Sequence, residues 1–217
     1  MIQHVWDRAA RAKSLNTLIV ACDDQRISDC VQAFGGKAVL TRADHANGTS
    51  RVAEVAQKVS ADVFVNIQGD EPLMEPANID ALAGLFEQET PLQVATLAVP
   101  RNDPVGYQNP NVVKVVCDAQ GNALYFSRSP VPHFREGAGI AYLKHLGIYA
   151  YRRDFLLQFV RWSAGRLEQA EKLEQLRILE RGIKIRVITT TSDSLGVDTA
   201  EDLKTVQNFL NSGKLPF

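Results

Sequence analysis

The chain has 217 residues, of which 45% are hydrophobic and 23% charged, as in an ordinary soluble globular protein. Its formal net charge of −1 excludes a broad electrostatic attraction to nucleic acid or to an anionic membrane. Three scattered cysteines lack metal-ligand spacing, and no apolar run approaches the roughly 20 residues of a membrane span. We therefore expect one domain over 1–217, in the reducing cytoplasm, with no nucleic-acid or membrane partner.

Strand and helix patterns alternate along the first hundred residues. The strand patterns lie at 18–22, 38–40, 63–68, 94–99, 112–116, 123–126, 144–151 and 183–188. The helix patterns lie at 1–10, 27–34, 52–59, 76–86, 155–162 and 167–181, with a last helix after residue 199. Thr49 or Ser50 is the predicted cap of the third helix, and Thr199 that of the last. This alternation predicts an α/β fold with helices on both faces of a sheet.

The alternation stops near residue 100. The segment 118–122, Asp-Ala-Gln-Gly-Asn, separates two strand patterns and predicts a hairpin. The segment 130–140 holds prolines and glycines without a period, which predicts a loop. We interpret about 100–150 as a hairpin-rich insertion within the single domain.

The strand pattern 63–68 is a near-continuous apolar run, typical of a parallel strand buried on both faces. Gly69, Asp70, Glu71 and Pro72 follow it. In open α/β sheets, ligands bind beyond the carboxyl ends of the strands, so a ligand or metal is expected at these acids. The alternative is an ordinary turn with solvated carboxylates.

A second aspartate, Asp198, precedes the last helix. If the fold brings Asp70 and Asp198 together, the pair can hold Mg²⁺, which prefers oxygen ligands and shares them with substrate phosphates. Such a clamp suits metal-assisted phosphoryl or nucleotidyl transfer. Taken alone, Asp198 is more simply part of the loop before a helix cap.

Other side chains are candidates for anion or base contacts, and each has an ordinary alternative. The candidates are Arg42, Arg51, Arg128 and His145. A single arginine is more often a surface residue, and a histidine in an apolar strand is more often a core residue. Tyr149 follows His145 by four residues, so both point to one face of a strand. Glu174 and Gln175 fall in the predicted helix 167–181, where a solvated face is the simplest interpretation.

Several stretches together resemble the cytidylyltransferases of 3-deoxy-manno-octulosonate (KDO). They are Thr-Arg-Ala-Asp-His at 41–45 with Gly-Thr at 48–49, and the stretches at 65–72, 95–100, 124–128, 144–149, 173–177 and 196–202. The resemblance runs nearly from end to end. It implies the reaction CTP + KDO → CMP-KDO + pyrophosphate, a step of lipopolysaccharide core synthesis, catalysed by a cytosolic Mg²⁺-dependent homodimer.

The resemblance also implies a Rossmann-like nucleotidyltransferase fold, with a mixed, mostly parallel sheet and dimer contacts from the insertion. Asp70 and Asp198 would bind the metal and, with Arg128, form the catalytic set. The residues implied to hold the sugar acid are Gln68, Arg128, His145, Tyr149, Glu174 and Gln175. The residues implied to lie by the nucleotide are Arg42, Asp44, His45, Gly48 and Thr49.

The family opens with a strand and a loop that wraps the triphosphate, and the match begins just past that loop. We therefore expect exposed sheet edges, weak CTP binding and little turnover for the chain as it stands. A sugar-binding form without catalysis is the first alternative. A nucleotide-sugar glycosyltransferase is the second, although Gly69-Asp70-Glu71 does not supply its paired Asp-x-Asp.

Overall fold

The computed structural model describes residues 1–135 and 141–212. The helices are α1 (Ile2–Ala9), α2 (Gln25–Ala33), α3 (Gly48–Lys58), α4 (Pro76–Gln88), α5 (Pro104–Gln108), α6 (Arg153–Phe159), α7 (Arg166–Glu171), α8 (Leu176–Leu179) and α9 (Ala200–Ser212). The strands are β1 (Val20–Cys22), β2 (Ala38–Leu40), β3 (Val63–Asn66), β4 (Val94–Arg101), β5 (Lys114–Cys117), β6 (Ala123–Ser127), β7 (Tyr142–Arg152) and β8 (Arg186–Thr189).

The described strands form a six-stranded mixed sheet, as predicted, and a separate two-stranded sheet of β1 and β2, and most of the pairs are antiparallel. Strands β1 and β2 pair in parallel, and so do β4 and β8. Strand β7 runs antiparallel to β3, β4 and β5, and β5 runs antiparallel to β6. The prediction that most pairs are parallel was wrong, because β7 enters the sheet between β3 and β4 and runs antiparallel to both.

Strand β7 organises the sheet through its two edges. One edge pairs with β4 from Tyr142 to Tyr151, with a register shift near its middle. The other edge pairs with β5 at Leu143 and Lys144, and with β3 from Tyr149 onward. The ends of β3 and of the β5–β6 hairpin therefore face each other along one edge of β7, around residues 145–148.

Two apolar clusters cover the two faces of this sheet. Tyr149 and Tyr151 pack with the aromatic residues of α6, whereas Ile148 and Ala150 pack with α4. This alternation follows from the pleat, which turns successive side chains of a strand to opposite faces. Helices on both faces are therefore confirmed.

Strand β3 departs from its prediction as a parallel strand buried on both faces. Within the described chain it pairs only with β7, and β1 pairs only with β2. Val63, Phe64 and Val65 are consequently only half-buried. A cavity of about 920 Å³, covered by α1, α3 and α4, separates β3 from β1. Within the described residues, β1 and β3 therefore each have one edge without a partner strand.

Two helix boundaries also correct the sequence predictions. Helix α3 is capped by Asn47, whose Oδ1 accepts from the amide of Ser50 at 2.9 Å, rather than by Thr49 or Ser50. The predicted helix 167–181 divides into α7 and α8, because Lys172 adopts a left-handed backbone conformation with φ of 54°. The cap at Thr199 is confirmed, since its hydroxyl accepts from the Asp202 amide at 3.1 Å.

The left-handed Lys172 generates a test of this break. A non-glycine residue in that conformation is strained, so Lys172→Gly should raise the free energy of unfolding by about 0.5–1 kcal/mol. Lys204→Gly in the middle of α9 is the control and should lower it by about 1 kcal/mol. Urea unfolding measures both, and equal destabilisation by the two glycines would contradict a left-handed turn at residue 172.

Candidate active site

The site begins where three chain segments meet beside β7. Lys114 of β5 lies opposite both Ser127 of β6 and Lys144 of β7. The amide of His145 donates to the carbonyl of Val113 at 2.9 Å. Arg128, the residue after β6, therefore shares a row with His145 across β5, roughly 10 Å away at the spacing of neighbouring strands. A sugar-sized ligand can bridge that distance.

Gln68 reaches the same place from the end of β3. A Cβ added at Gly48 would lie 3.3 Å from its Oε1, and one added at Gly147 would lie 4.0 Å from its Cγ. The side chain of Gln68 therefore lies between the start of α3 and the middle of β7. The absence of a side chain at Gly48 leaves room for this approach.

His145 is a neutral hydrogen-bonding group. Its Nε2 lies 3.0 Å from Thr96 Oγ1, and the Thr96 hydroxyl lies 2.7 Å from the carbonyl of Ile148. A carbonyl only accepts, so a threonine proton directed to the carbonyl of Ile148 or of Leu146 favours the tautomer in which His145 Nε2 donates to Thr96. Burial lowers the pKa of His145 to about 3. The imidazole is thus uncharged near neutral pH, and in this tautomer its Nδ1 is an acceptor.

Tyr149 forms an aromatic wall beside this histidine. Its ring lies 5.4 Å from that of His145 and stacks at 5.7 Å on that of Tyr151. The Tyr149 hydroxyl is buried and has no hydrogen-bond partner in the part of the chain that the structure describes. Because buried polar atoms are almost always paired, this hydroxyl is suited to a ligand contact.

The break between α7 and α8 turns Glu174 toward the two tyrosines. Burial raises the pKa of its carboxyl to about 7, and a hydrogen bond from Thr49 opposes the rise. Glu174 is half-buried, and Gln175 is buried, with 7% of its surface exposed. The sequence-based interpretation of a solvated helix face was therefore wrong for both residues, because it assumed an unbroken helix.

Asp70 and Asp198 lie near each other, as predicted. The amide of Val197 donates to the carbonyl of Asp70 at 2.9 Å. The pKa of Asp70 is raised, first by desolvation and also by the negative charge of Asp198. Residues 1–135 and 141–212 contain no cluster of three or more metal-binding side chains. Two carboxylates nevertheless fit Mg²⁺, which commonly takes one or two from a protein and its other ligands from water and phosphate.

The loop that carries Asp198 is anchored by groups that the sequence analysis did not single out. Asp193 accepts from Lys144 Nζ at 2.8 Å and also pairs with Arg101. The Ser194 hydroxyl donates to Glu71, whose pKa is raised by burial. These contacts tie the loop to the acidic end of β3.

The residues implied for the nucleotide divide into two groups. Arg42 and Asp44 are exposed and pair with each other at 3.1 Å. His45 Nε2 lies 2.6 Å from a carboxylate oxygen of Glu54. Gly48 and Thr49 instead lie beside the end of β3, where Thr49 accepts from Asn66 at 3.3 Å. They therefore adjoin Gln68 and Glu174 rather than the exposed part of the loop.

Sequence reasoning missed Thr96, Asn66 and Tyr151 as parts of the site. Thr96 and Asn66 are buried polar residues within apolar strands. A polar residue in such a run is informative, because it must find a partner once it is buried. That signal was available in the sequence, whereas the inward turn of Tyr151 toward Glu174 was not.

Other proteins share this architecture. A solved structure of a putative glucose-1-phosphate thymidylyltransferase from Bacillus anthracis matches with a TM-score of 0.65 and 14% identity, covering 100% of this chain and 84% of that one. At that identity only the fold is shared. This chain therefore has the fold of that structure, a mixed sheet flanked by helices, with acids beyond the end of one strand.

More similar proteins define the family. A cytidylyltransferase family model matches residues 1–185. The 3-deoxy-manno-octulosonate cytidylyltransferase of Syntrophobacter fumaroxidans is 54% identical over 95% of this chain and 84% of its own length. That of Solibacter usitatus is 48% identical over 99% and 86%. A structure of CMP:2-keto-3-deoxy-manno-octonic acid synthetase complexed with CTP matches with a TM-score of 0.93 and 43% identity, covering 98% of this chain and 88% of that one. The chain belongs to the 3-deoxy-manno-octulosonate cytidylyltransferase family.

The environment of Glu174 makes stability depend on pH. Between the ordinary glutamate pKa of 4.5 and the value of about 7, the folded state keeps a proton that the unfolded state releases. The free energy of unfolding therefore falls as pH rises through this range, by roughly 3 kcal/mol at most.

Glu174→Gln removes this dependence. The variant should match the parent near pH 4.5 and be more stable by about 1–3 kcal/mol at pH 8, as measured by urea unfolding across pH. Glu201→Gln, at an exposed position, is the control. A stability difference that stays constant with pH would contradict a half-buried Glu174 that is protonated in the folded state.

Proposed function

We propose that the chain transfers CMP from CTP to KDO, giving CMP-KDO and pyrophosphate for lipopolysaccharide core synthesis. The observation that carries the proposal is the convergence of Gln68, Arg128, His145 and Tyr149 on one edge of β7. Gln68 also lies two residues before Asp70, so the sugar contacts continue directly into the acidic pair. The names of the family relatives support the same substrates.

Arg128 binds the carboxylate of the sugar acid. Its Nε donates to the carbonyl of Glu171 at 2.8 Å, and its Nη1 donates to the carbonyl of Pro110 at 3.0 Å. These bonds hold the guanidinium plane in place, and an oriented guanidinium recognises a carboxylate with strong directional bonds. This contact distinguishes KDO from a neutral sugar.

The remaining polar groups bind the sugar hydroxyls. His145 Nδ1 accepts a hydroxyl proton, and the Tyr149 hydroxyl gains the partner that it lacks within the described chain. Glu174, with a pKa of about 7, and Gln68 complete the set. The sugar is thereby oriented by groups that are already fixed by burial, which lowers the entropy cost of aligning it for reaction.

The chemical step joins the anomeric hydroxyl of KDO to the α-phosphate of CTP. A bond forms between that oxygen and phosphorus, the hydroxyl proton passes to water, and the bond from phosphorus to the leaving pyrophosphate breaks. Asp70 and Asp198 would hold Mg²⁺, which when bound neutralises phosphate charge and lowers the pKa of the attacking hydroxyl. Arg42, Asp44, His45, Gly48 and Thr49 lie toward the cytidine.

The proposal extends to a cytoplasmic homodimer. Val105 and Leu124, in the insertion, are 81% and 61% exposed, more than the other large hydrophobic residues in the described chain. Apolar side chains so exposed are suited to an interface between copies. The free cysteines Cys22, Cys30 and Cys117 suit a reducing compartment. No helix within the described ranges is long and apolar enough to cross a membrane.

Catalysis is tested at Asp70. Asp70→Asn removes one carboxylate of the acidic pair and should lower pyrophosphate release at least about 100-fold. Asp154→Asn is the matched control, because the Asp154 side chain is 98% exposed. Calorimetry with KDO and with CTP accompanies the assay. Binding of KDO alone, without turnover in the parent, would support the sugar-binding alternative instead.

The homodimer is tested at Leu124. Leu124→Lys places a charge in the insertion and should shift the parent dimer to monomer in sedimentation velocity. Leu40→Lys is the control, since Leu40 is 46% exposed on β2, outside the insertion. A parent that sediments as a monomer, or a Leu124→Lys variant that remains dimeric, would refute the interface.

A further inference from the structure

Lys114 is the most unusual buried group outside the residues already assigned. It is fully buried, with 0% of its surface exposed. Burying an ammonium group is costly unless its donors are satisfied. Lys114 Nζ donates to the carbonyls of Asn109 at 3.0 Å, Val112 at 2.6 Å and Arg128 at 2.6 Å. All three of its protons therefore have an acceptor.

The three carbonyls belong to two separate segments. Asn109 and Val112 precede β5, whereas Arg128 follows β6. One ammonium group thus joins the entry of the hairpin to its exit. An apolar side chain at position 114 could fill the same space, but it would leave these carbonyls without their donor.

Both of these segments help to set the position of the Arg128 guanidinium. One carries the Arg128 backbone, and the other contains Pro110, whose carbonyl accepts from Arg128 Nη1 at 3.0 Å. Glu171 completes the support, since its carboxylate accepts from the Arg128 amide at 2.9 Å and from the Ser127 hydroxyl at 2.7 Å. The geometry of the guanidinium therefore depends on the distance that Lys114 sets between the two segments.

We propose that Lys114 is a positioning residue that orients Arg128 toward the carboxylate of an acidic sugar, and so helps to determine specificity. The proposal rests on the proposed function, because it assumes that Arg128 binds this carboxylate. Lys114 itself is too enclosed to touch the ligand. Its effect is to place the donors of Arg128, whose strength depends on direction.

The test compares KDO with its C1 methyl ester, which keeps the hydroxyls and lacks the charge. Calorimetry gives the dissociation constant of each for the parent and for Lys114→Met, Arg128→Ala and Lys204→Met. Lys114→Met should weaken KDO binding about tenfold, as expected when one charge-assisted hydrogen bond is misaligned. It should weaken binding of the ester by less than about twofold. Lys204→Met, on the exposed side of α9, should change neither.

The ratio of the two constants separates a positioning role from general damage. If Lys114→Met only disorders the site, the binding of both ligands weakens by the same factor, and the proposal is overturned. If Arg128→Ala leaves the ratio unchanged, the assigned role of Arg128 in the proposed function fails. If Arg128→Ala removes the carboxylate preference and Lys114→Met preserves it, only the inference on Lys114 fails.

Folding of the variant is checked by circular dichroism. If Lys114→Met does not fold, Lys114→Gln is the second variant, because its amide still donates two hydrogen bonds without charge. It should reduce the preference for KDO over the ester by a smaller factor in the same direction. If neither variant folds, Lys114 serves folding alone and the positioning role is rejected.

Discussion

The antiparallel pairing of β7 is the constraint on which the rest of the structure depends. One edge of β7 is filled by β4, while the other is shared by β3 and the β5–β6 hairpin. On the shared edge, each partner is followed by a functional residue: Gln68 comes after β3, and Arg128 comes after β6. Residues separated by about 60 positions in the sequence thus meet beside His145 because two strands use the same edge.

The same arrangement explains why polar groups are so deeply buried at this site. Positions facing the aromatic cluster are enclosed by α6 to α8. A polar side chain there needs a hydrogen-bond partner, either in the protein or in a bound ligand. Thr96 forms a hydrogen bond with His145, whereas the Tyr149 hydroxyl has no hydrogen-bond partner among the described residues. The pKa of Glu174 rises and that of His145 falls for one common reason, since burial disfavours the charged form of each.

The acidic pair depends on a second set of connections. The loop before α9 is anchored by Asp193 and Ser194, and the backbone of Val197 bonds to that of Asp70. Repulsion between two nearby carboxylates opposes this arrangement, and the anchoring bonds offset it. Strands β3 and β1 do not pair with each other in the described chain, and the site lies at the end of β3 beside the cavity between them.

Much of the fold followed from periodicity alone. The strand 38–40, the hairpin around Gly121 and the cap at Thr199 were predicted because their signals are local: alternation, a turn glycine and a hydroxyl before a helix. The direction of strand pairing was not predicted correctly, because a short apolar run does not indicate which strand will pair with it or in which direction. Lys172 shows a further limit, since nothing in its helical context predicts a left-handed backbone.

The sequence by itself determined the order of elements, the two aspartates at their boundaries and the family to which the chain belongs. Only the tertiary structure decided the pairing along β7, the inward turn of Glu174 and the enclosure of Lys114 between two segments. The physical reason is that these features depend on which distant groups share an edge or lose contact with water. Sequence spacing specifies neither, because both are properties of the packed chain.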